Sequence, residues 1–293
     1  MQRSKKEKKS KIQLELFFRE SLLFFITIIL GIGTAFKLSN VLKAEKIQVA
    51  PVNLWHFILY FAVGTVLILL ISSFMKSAPR KGKIFKGLFV FAIFWGGLTT
   101  LDVWLGSYFL LVGDALALFL ISFLILLWLK KQSVFVHNLC IIIGIAGMGA
   151  MLGLRMNPET VAVLLLVFAV YDFIAVYKTK HMVKMAKEMI AHKAILGLIV
   201  PKKGASFNGE LKDVKAGGNF LVLGGGDIAF PLIFCVSLIP ESIYFSLLVL
   251  LFSVIGLFFS YFIFLKQKEQ KPIPALPPIA VFSVLGYLIT FLF

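Results

Sequence analysis

Charge is what this 293-residue sequence has least of: 15% of it is Asp, Glu, Lys or Arg, against about a quarter in a soluble domain. The deficit is uneven. Charges gather in short segments, and between them run apolar stretches about 20 residues long, the length that crosses ~30 Å of hydrocarbon. A soluble core is thereby excluded as the organising principle, and the bilayer takes its place. Cysteine is equally scarce. Cys140 and Cys235 both lie in apolar runs, too few and too deep for a disulfide framework or a structural zinc site. Asn-x-Ser/Thr acceptors, the H-E-x-x-H pattern and any Ser/His arrangement are missing, so metal- and serine-dependent hydrolysis lose support.

What is present begins with an excess of base. Thirty Lys and Arg against fourteen acids give a net charge of +16. Nucleic-acid binding is excluded by where these residues stand. They sit at the ends of apolar spans, not on a soluble face beside aromatics or a recognition helix. Apolar runs predict nine spans, at 17–36, 54–75, 84–105, 109–129, 134–154, 160–177, 218–239, 242–265 and 274–293. The first follows a basic tail, Arg3 to Lys11, and is too long for a signal-peptide core, so it reads as a retained signal-anchor. Numbering the connections alternately places 26 of the 30 basic residues on one side and leaves Lys37, Lys43, Lys46 and Arg155 on the other. By the positive-inside rule the N-terminus is cytoplasmic and the C-terminus outside. The predicted fold is an all-α polytopic membrane protein forming one domain over 1–293.

One connection, 178–217, is far longer than the rest. Its first part places Met182, Met185, Met189 and Ile190 at helical spacing with lysines between, the pattern of an amphipathic helix on a membrane surface. Two apolar segments around Pro201-Lys202-Lys203-Gly204 follow, and these predict a hairpin. The remainder, 208–218, reads as flexible.

A charge in hydrocarbon costs several kcal/mol, so an ionisable group deep in a span is a functional candidate by default. The five aspartates are 102, 114, 172, 213 and 227. Asp213 is in the long loop, and Asp102 and Asp114 flank an outer turn where water reaches them. Asp172 and Asp227 have no such explanation. On these spans Asp172 lies about 5 residues (~8 Å) and Asp227 about 9 residues (~14 Å) from the cytoplasmic face. Their spans are consecutive and antiparallel, so both acids can meet across one interface. Two like charges held close cannot both ionise, so one carboxyl keeps a proton while the other accepts one. Such a pair supplies the base that activates water and the acid that protonates a carbonyl.

Two further features converge on the same place. Gly224, Gly225 and Gly226 precede Asp227 and let another backbone come close. Pro272, Pro274, Pro277 and Pro278 open the last span and cannot lie inside a regular helix. Unwound backbone at membrane depth is tolerated where it lines a protein cavity. The histidines carry less. His56 and His137 read as residues near span ends, and His181 and His192 as solvated members of the surface helix.

Tyr171-Asp172 in one span, Gly224-Gly225-Gly226-Asp227 in the next and Pro274-Ala275-Leu276 opening the last resemble the YD, GxGD and PAL motifs of presenilins and signal peptide peptidases. The order, spacing and nine spans extend the resemblance over the whole chain, and the compact length is most similar to the archaeal members. The resemblance implies an intramembrane aspartyl endopeptidase of the cell membrane that acts on transmembrane-helix substrates in the bilayer. It makes Asp172 and Asp227 the catalytic pair, with Tyr171, the three glycines and Pro274-Ala275-Leu276 shaping the site. No cofactor or metal is implied. A substrate strand has an apolar edge to pair with at Ile199-Val200, or the proline segment of the ninth span, by β-addition. The alternative is an ion- or proton-coupled secondary transporter using the same aspartates, disfavoured because breaks and acids concentrate in the last third of the chain.

Overall fold

A computed structural model describes residues 2–47, 50–74, 78–106, 112–202, 205–215, 218–267 and 272–293. Ten α-helices dominate the described residues: α1 Gln2–Ala44, α2 Leu54–Phe74, α3 Ala78–Gly106, α4 Gly113–Lys131, α5 Val134–Gly153, α6 Pro158–Phe173, α7 His181–Ala191, α8 Gly225–Ser237, α9 Ile243–Lys266 and α10 Leu276–Thr290. Two strands, β1 Gly197–Pro201 and β2 Phe220–Gly224, lie between α7 and α8. Among the described residues six helical segments are long and apolar enough to cross a membrane: Leu14–Ala44, Gly82–Gly106, Gly113–Lys131, Val134–Gly153, Pro158–Lys178 and Ile243–Lys266. The apolar helices Leu54–Gly64, Gly225–Ser237 and Leu276–Thr290 are shorter.

The centre of the molecule is α5. Apolar side chains gain nothing by leaving lipid for each other, so helices in a membrane are held by close packing over small residues. Gly144 and Gly147 of α5 meet Gly96 of α3 backbone to backbone: a Cβ on Gly96 would fall on the Gly144 carbonyl oxygen, and one on Gly147 on the Gly96 carbonyl oxygen. On the far side of α5, Leu232 of α8 fills a hollow formed by Gly149 of α5 and Gly31 of α1. The last two helices pair in the same way. Gly256 of α9 lies against the backbone of Pro278 and Ile279, and Ser253 of α9 meets Ser283 of α10 at 2.7 Å, both hydroxyls fully buried. Replacing Ser253 by Ala is expected to lower stability by about 0.6–2 kcal/mol, read as a lower unfolding temperature in detergent.

Between α7 and α8 the all-α expectation needs correction. The turn of the predicted hairpin, Lys203-Gly204, lies outside the described residues. β1 pairs with β2, antiparallel, from Gly197 opposite Gly224 to Pro201 opposite Phe220. β2 is the stretch that reads as the start of the seventh span. Apolarity alone does not separate a buried strand from a helix, and this one is cut from the helix by the glycines that follow. Helix α8 therefore starts at Gly225, and Asp227 lies in its first turn instead of about nine residues along it. The segment expected to be flexible is docked. The amides of Leu211, Val134 and Phe135 donate to Gln132, Gly209 and Phe207 (2.7, 2.9 and 2.9 Å), and Leu211 and Val214 are buried.

Candidate active site

Two side chains at the start of α5 fix β1. Residues 202 and 219 exchange a ladder bond (Lys202 N–H to Asn219 O, 2.8 Å). By antiparallel alternation the polar groups of Gly197 and Ile199 then point away from β2. Asn138 takes both groups of Ile199: its Oδ1 accepts from the Ile199 amide at 2.8 Å and its Nδ2 donates to the Ile199 carbonyl at 2.7 Å. His137 Nε2 contacts the Gly197 carbonyl at 3.1 Å, and its Nδ1 accepts from Trp128 Nε1 at 3.2 Å. A carbonyl only accepts, so the ring proton sits on Nε2. His137 is fully buried, which corrects the reading of an interfacial histidine. His192 is half-buried and stacked on Phe85 instead of solvated.

β1 in turn positions β2 and the first turn of α8. The amide of Gly225 donates to the Leu196 carbonyl at 2.8 Å, which extends the ladder to the helix start. Asp227 is the third residue of α8, and its carboxyl hydrogen-bonds the backbone of Gly224, the residue that caps the helix. An acid at this position commonly reaches back to the cap. The glycines are required by contact. A Cβ on Gly224 would lie 2.9 Å from Asp227 Oδ2, and one on Gly225 would lie 3.0 Å from the Leu196 carbonyl. Four residues after Asp227, Pro231 has no N–H to return to the Asp227 carbonyl, so the helix is loosened where the acid stands. An apolar cavity of about 260 Å³ adjoins this turn, lined by Ala92, Ile93, Gly144, Met148, Gly225 and Gly226 among others.

Asp172 comes from the end of α6, immediately before a wide π-helical turn, Ile174–Lys178. It is 5% exposed, and its Oδ2 has no hydrogen-bond partner. Its carboxyl is met by the backbone of Leu276, the first residue of α10. Here the prolines acquire a local role. They start α10 instead of breaking it, and because Pro277 and Pro278 lack amide hydrogens, Leu276 is the lone donor among the first three helical residues. That donor faces Asp172. Pro274 and Leu276 are buried and Ala275 is half-buried. Asp172 acts electrostatically on Asp227, so the two carboxyls lie within reach of each other.

The remaining sequence candidates stand apart. Tyr171 is 52% exposed. Asp102 and Asp114 hydrogen-bond to each other at the outer turn. Among the described residues no three His, Cys, Asp or Glu side chains gather as metal ligands. One acid escaped the sequence reading. Glu20 is buried in α1, near Asp227, with Oε2 unpartnered. Its signal was there: Glu20, Thr27 and Thr34 recur every seven residues on one face.

Comparison with known proteins decides the family. A family model described as signal-peptide peptidase, presenilin aspartyl protease matches residues 22–293. The chain belongs to this family. It is therefore an aspartyl protease of the presenilin and signal-peptide-peptidase type and a multi-pass membrane protein. Comparison with curated proteins gives no match. Among solved structures, a presenilin family intramembrane aspartate protease in a C222 crystal form is similar over 92% of this chain and 94% of its own, at 20% identity and a TM-score of 0.61. The P2 crystal form is similar over 93% and 96%, at 20% identity and a TM-score of 0.60. At that identity the likeness is one of fold. It spans nearly the whole presenilin-family chain.

Proposed function

We propose that the chain hydrolyses peptide bonds within transmembrane helices of substrate proteins, with Asp172 and Asp227 as the catalytic pair. One observation carries the reading: two carboxyls from helices that pack together, α6 and α8, lie within electrostatic reach, and the buried one has a free oxygen. In the reaction one carboxylate takes a proton from water, whose oxygen adds to the scissile carbonyl. The protonated partner gives its proton to the carbonyl oxygen. The amide nitrogen then takes a proton from the pair as the C–N bond breaks, while one hydroxyl of the tetrahedral intermediate returns its proton to the other carboxylate, and the pair is left singly protonated for the next cycle. The Leu276 amide holds Asp172 while this happens, and the turn through Gly224 holds Asp227.

A helical substrate hides its amides, so it must unwind over a few residues before attack. The unwound segment joins the sheet as a strand. Ile199 and Val200, the edge suggested by apolarity, are fully buried, and Asn138 already occupies the outward groups of Ile199. The strand is therefore received on the other edge of the same sheet. There Val222, half-buried, turns its amide and carbonyl away from β1. Ile199 and Val200 support that edge from behind, and the apolar cavity beside Gly225 offers room for a substrate side chain.

The three shorter apolar helices complete nine crossings, with the N-terminus cytoplasmic, in keeping with the distribution of base. Both aspartates then open toward the cytoplasmic half. The test is cleavage in detergent of a purified single-span substrate, with products located by mass spectrometry. Cuts inside its apolar segment are expected. Cuts confined to its polar flanks, or proton-coupled solute flux in vesicles with no proteolysis, would overturn the proposal.

A further inference from the structure

The first turns of the membrane-crossing part of α3 and the turn that closes α7 border a cavity of about 240 Å³. Its walls are Gly82, Lys83 and Lys86 from α3 and Ala191, His192 and Lys193 from the turn. Three lysines and a histidine thus converge from two elements, and none of the lining residues is acidic. Glu210, which Lys193 acts on electrostatically, is already paired with Lys212 at 2.8 Å. Among the described residues Lys83 and Lys86 make no ion pair and the His192 ring makes no hydrogen bond. Lys83 and Lys86 stand three residues apart on one helix face, where like charges repel. The positive charge of this space is uncompensated.

The groups around it are held in place. The His192 ring stacks on Phe85, with centroids 6.1 Å apart, and lies against the backbone of α3. A Cβ on Gly82, which is buried, would come within 2.7 Å of His192 Nδ1. The turn itself is closed by three amides: those of His192, Lys193 and Ala194 donate to the carbonyls of Glu188, Ile190 and Met189, each at 3.0 Å. Lys193 takes the left-handed conformation that ends many helices (φ 57°). Its ammonium crosses to Gln132 Oε1 at 3.0 Å, at the end of α4. Lys86, His192 and Lys193 are half-buried, and Lys83 is exposed at the rim. Lysines that only set topology need to lie on the correct side of the membrane. That role does not gather them around a cavity.

We propose that this cavity binds the phosphate-bearing headgroup of an anionic phospholipid. It lies where α3 enters its apolar span, the level at which lipid headgroups are found. Lysine ammoniums hold phosphate as point charges, and basic pockets beside membrane helices suit anionic headgroups. The volume is below the roughly 300–1,000 Å³ of pockets for drug-sized ligands, so it fits a headgroup alone. What selects lipid over free phosphate is the helix below. Lys83, Gly87, Phe91 and Trp95 follow one another at four-residue intervals along α3, all exposed. A Cβ on Gly87 would meet open space, and the rings of Phe91 and Trp95 meet edge to face at 6.4 Å. An acyl chain hung from a headgroup at Lys83 has this apolar strip to lie on. A bound headgroup ties α3 to the segment that leads into β1.

The test uses the full chain in a neutral detergent and follows its unfolding temperature, which a ligand of the native state raises. The probes are short-chain phosphatidylglycerol, short-chain phosphatidylcholine and inorganic phosphate. Phosphatidylglycerol is expected to raise the unfolding temperature saturably, and the other two at equal concentration to leave it unchanged. The double variant Lys83→Gln/Lys86→Gln should weaken phosphatidylglycerol binding roughly 30-fold, the loss expected for two lysines at an anionic lipid surface. The control, Lys184→Gln/Lys187→Gln, removes the same charge from the exposed face of α7 and should bind as wild type does. Equal weakening by both double variants means a general attraction between base and anionic lipid, and overturns the proposal. No shift with phosphatidylglycerol, or an equal shift with phosphatidylcholine, overturns it as well. A shift reproduced by inorganic phosphate assigns the cavity to a free anion and overturns the lipid. Should the pocket variant not fold, Lys83→Gln alone decides: its side chain is exposed, and its loss must weaken binding roughly fivefold. No arm requires cleavage, so a chain that binds the lipid and cuts nothing loses the proteolytic reading and keeps this one.

Discussion

Asp172→Asn and Asp227→Asn, each made alone, are expected to lower the rate of substrate cleavage by about 10⁴-fold or more, with the unfolding temperature of the protein unchanged. The two results come from one cause. An amide cannot take a proton from water at neutral pH, nor deliver one to a carbonyl, so either change leaves a pair with one working member and no proton to pass between its halves. Residues acting as a unit are non-additive, and the double variant should be no slower than the worse of the singles. Folding should survive because the contacts that hold the acids ask only for an acceptor. The Leu276 backbone at Asp172 and the Gly224 backbone at Asp227 can each be met by an amide oxygen. The measurement is initial cleavage rate beside thermal unfolding in the same detergent. Either single variant retaining cleavage within tenfold of wild type removes the pair as the source of catalysis.

The site was legible in the sequence to the extent that lipid penalises charge. Asp172 and Asp227 stand out because hydrocarbon tolerates a carboxyl only for a reason, and the glycines and prolines stand out because a helix tolerates neither in its interior. The depth of Asp227 was not legible. Residues 220–224 are apolar and continue into an apolar helix, and nothing in their composition separates a strand lying on β1 from a further turn of α8; the separation depends on a partner strand about 20 residues upstream. The clasp by His137 and Asn138 was hidden for a related reason. A polar residue near a predicted span end looks solvated until tertiary structure supplies the strand it bonds. Glu20 was passed over because boundary residues of an apolar run are ordinarily excused their charge, yet α1 extends well beyond that run as one helix and carries Glu20 on its inward face.

The clasp leads to the second large effect. Asn138→Leu fits the space of the side chain and removes both of its hydrogen bonds, leaving the amide and carbonyl of Ile199 buried without partners. Each orphaned group costs about 1–3 kcal/mol, so a stability loss of about 2–5 kcal/mol is expected, a large fraction of the roughly 5–15 kcal/mol that holds a folded protein together. Ser253→Ala, which breaks one hydroxyl contact between α9 and α10, should lose far less. Activity is expected to fall further than stability. β1 is held from one side by Asn138 and bonded on the other to β2, and β2 runs directly into the turn that carries Asp227. If β1 moves toward α5 or away from it, the strand edge that receives substrate and the acid that attacks it move together. A displacement of an ångström at the reacting atoms is enough to lose about 100-fold in rate. The check is to assay Asn138→Leu well below its own unfolding temperature, where the protein is folded, and to compare kcat with that of Ser253→Ala. A folded Asn138→Leu that cleaves at the wild-type rate would mean that the sheet does not position Asp227, and that Gly224 and its hydrogen bond to the carboxyl suffice.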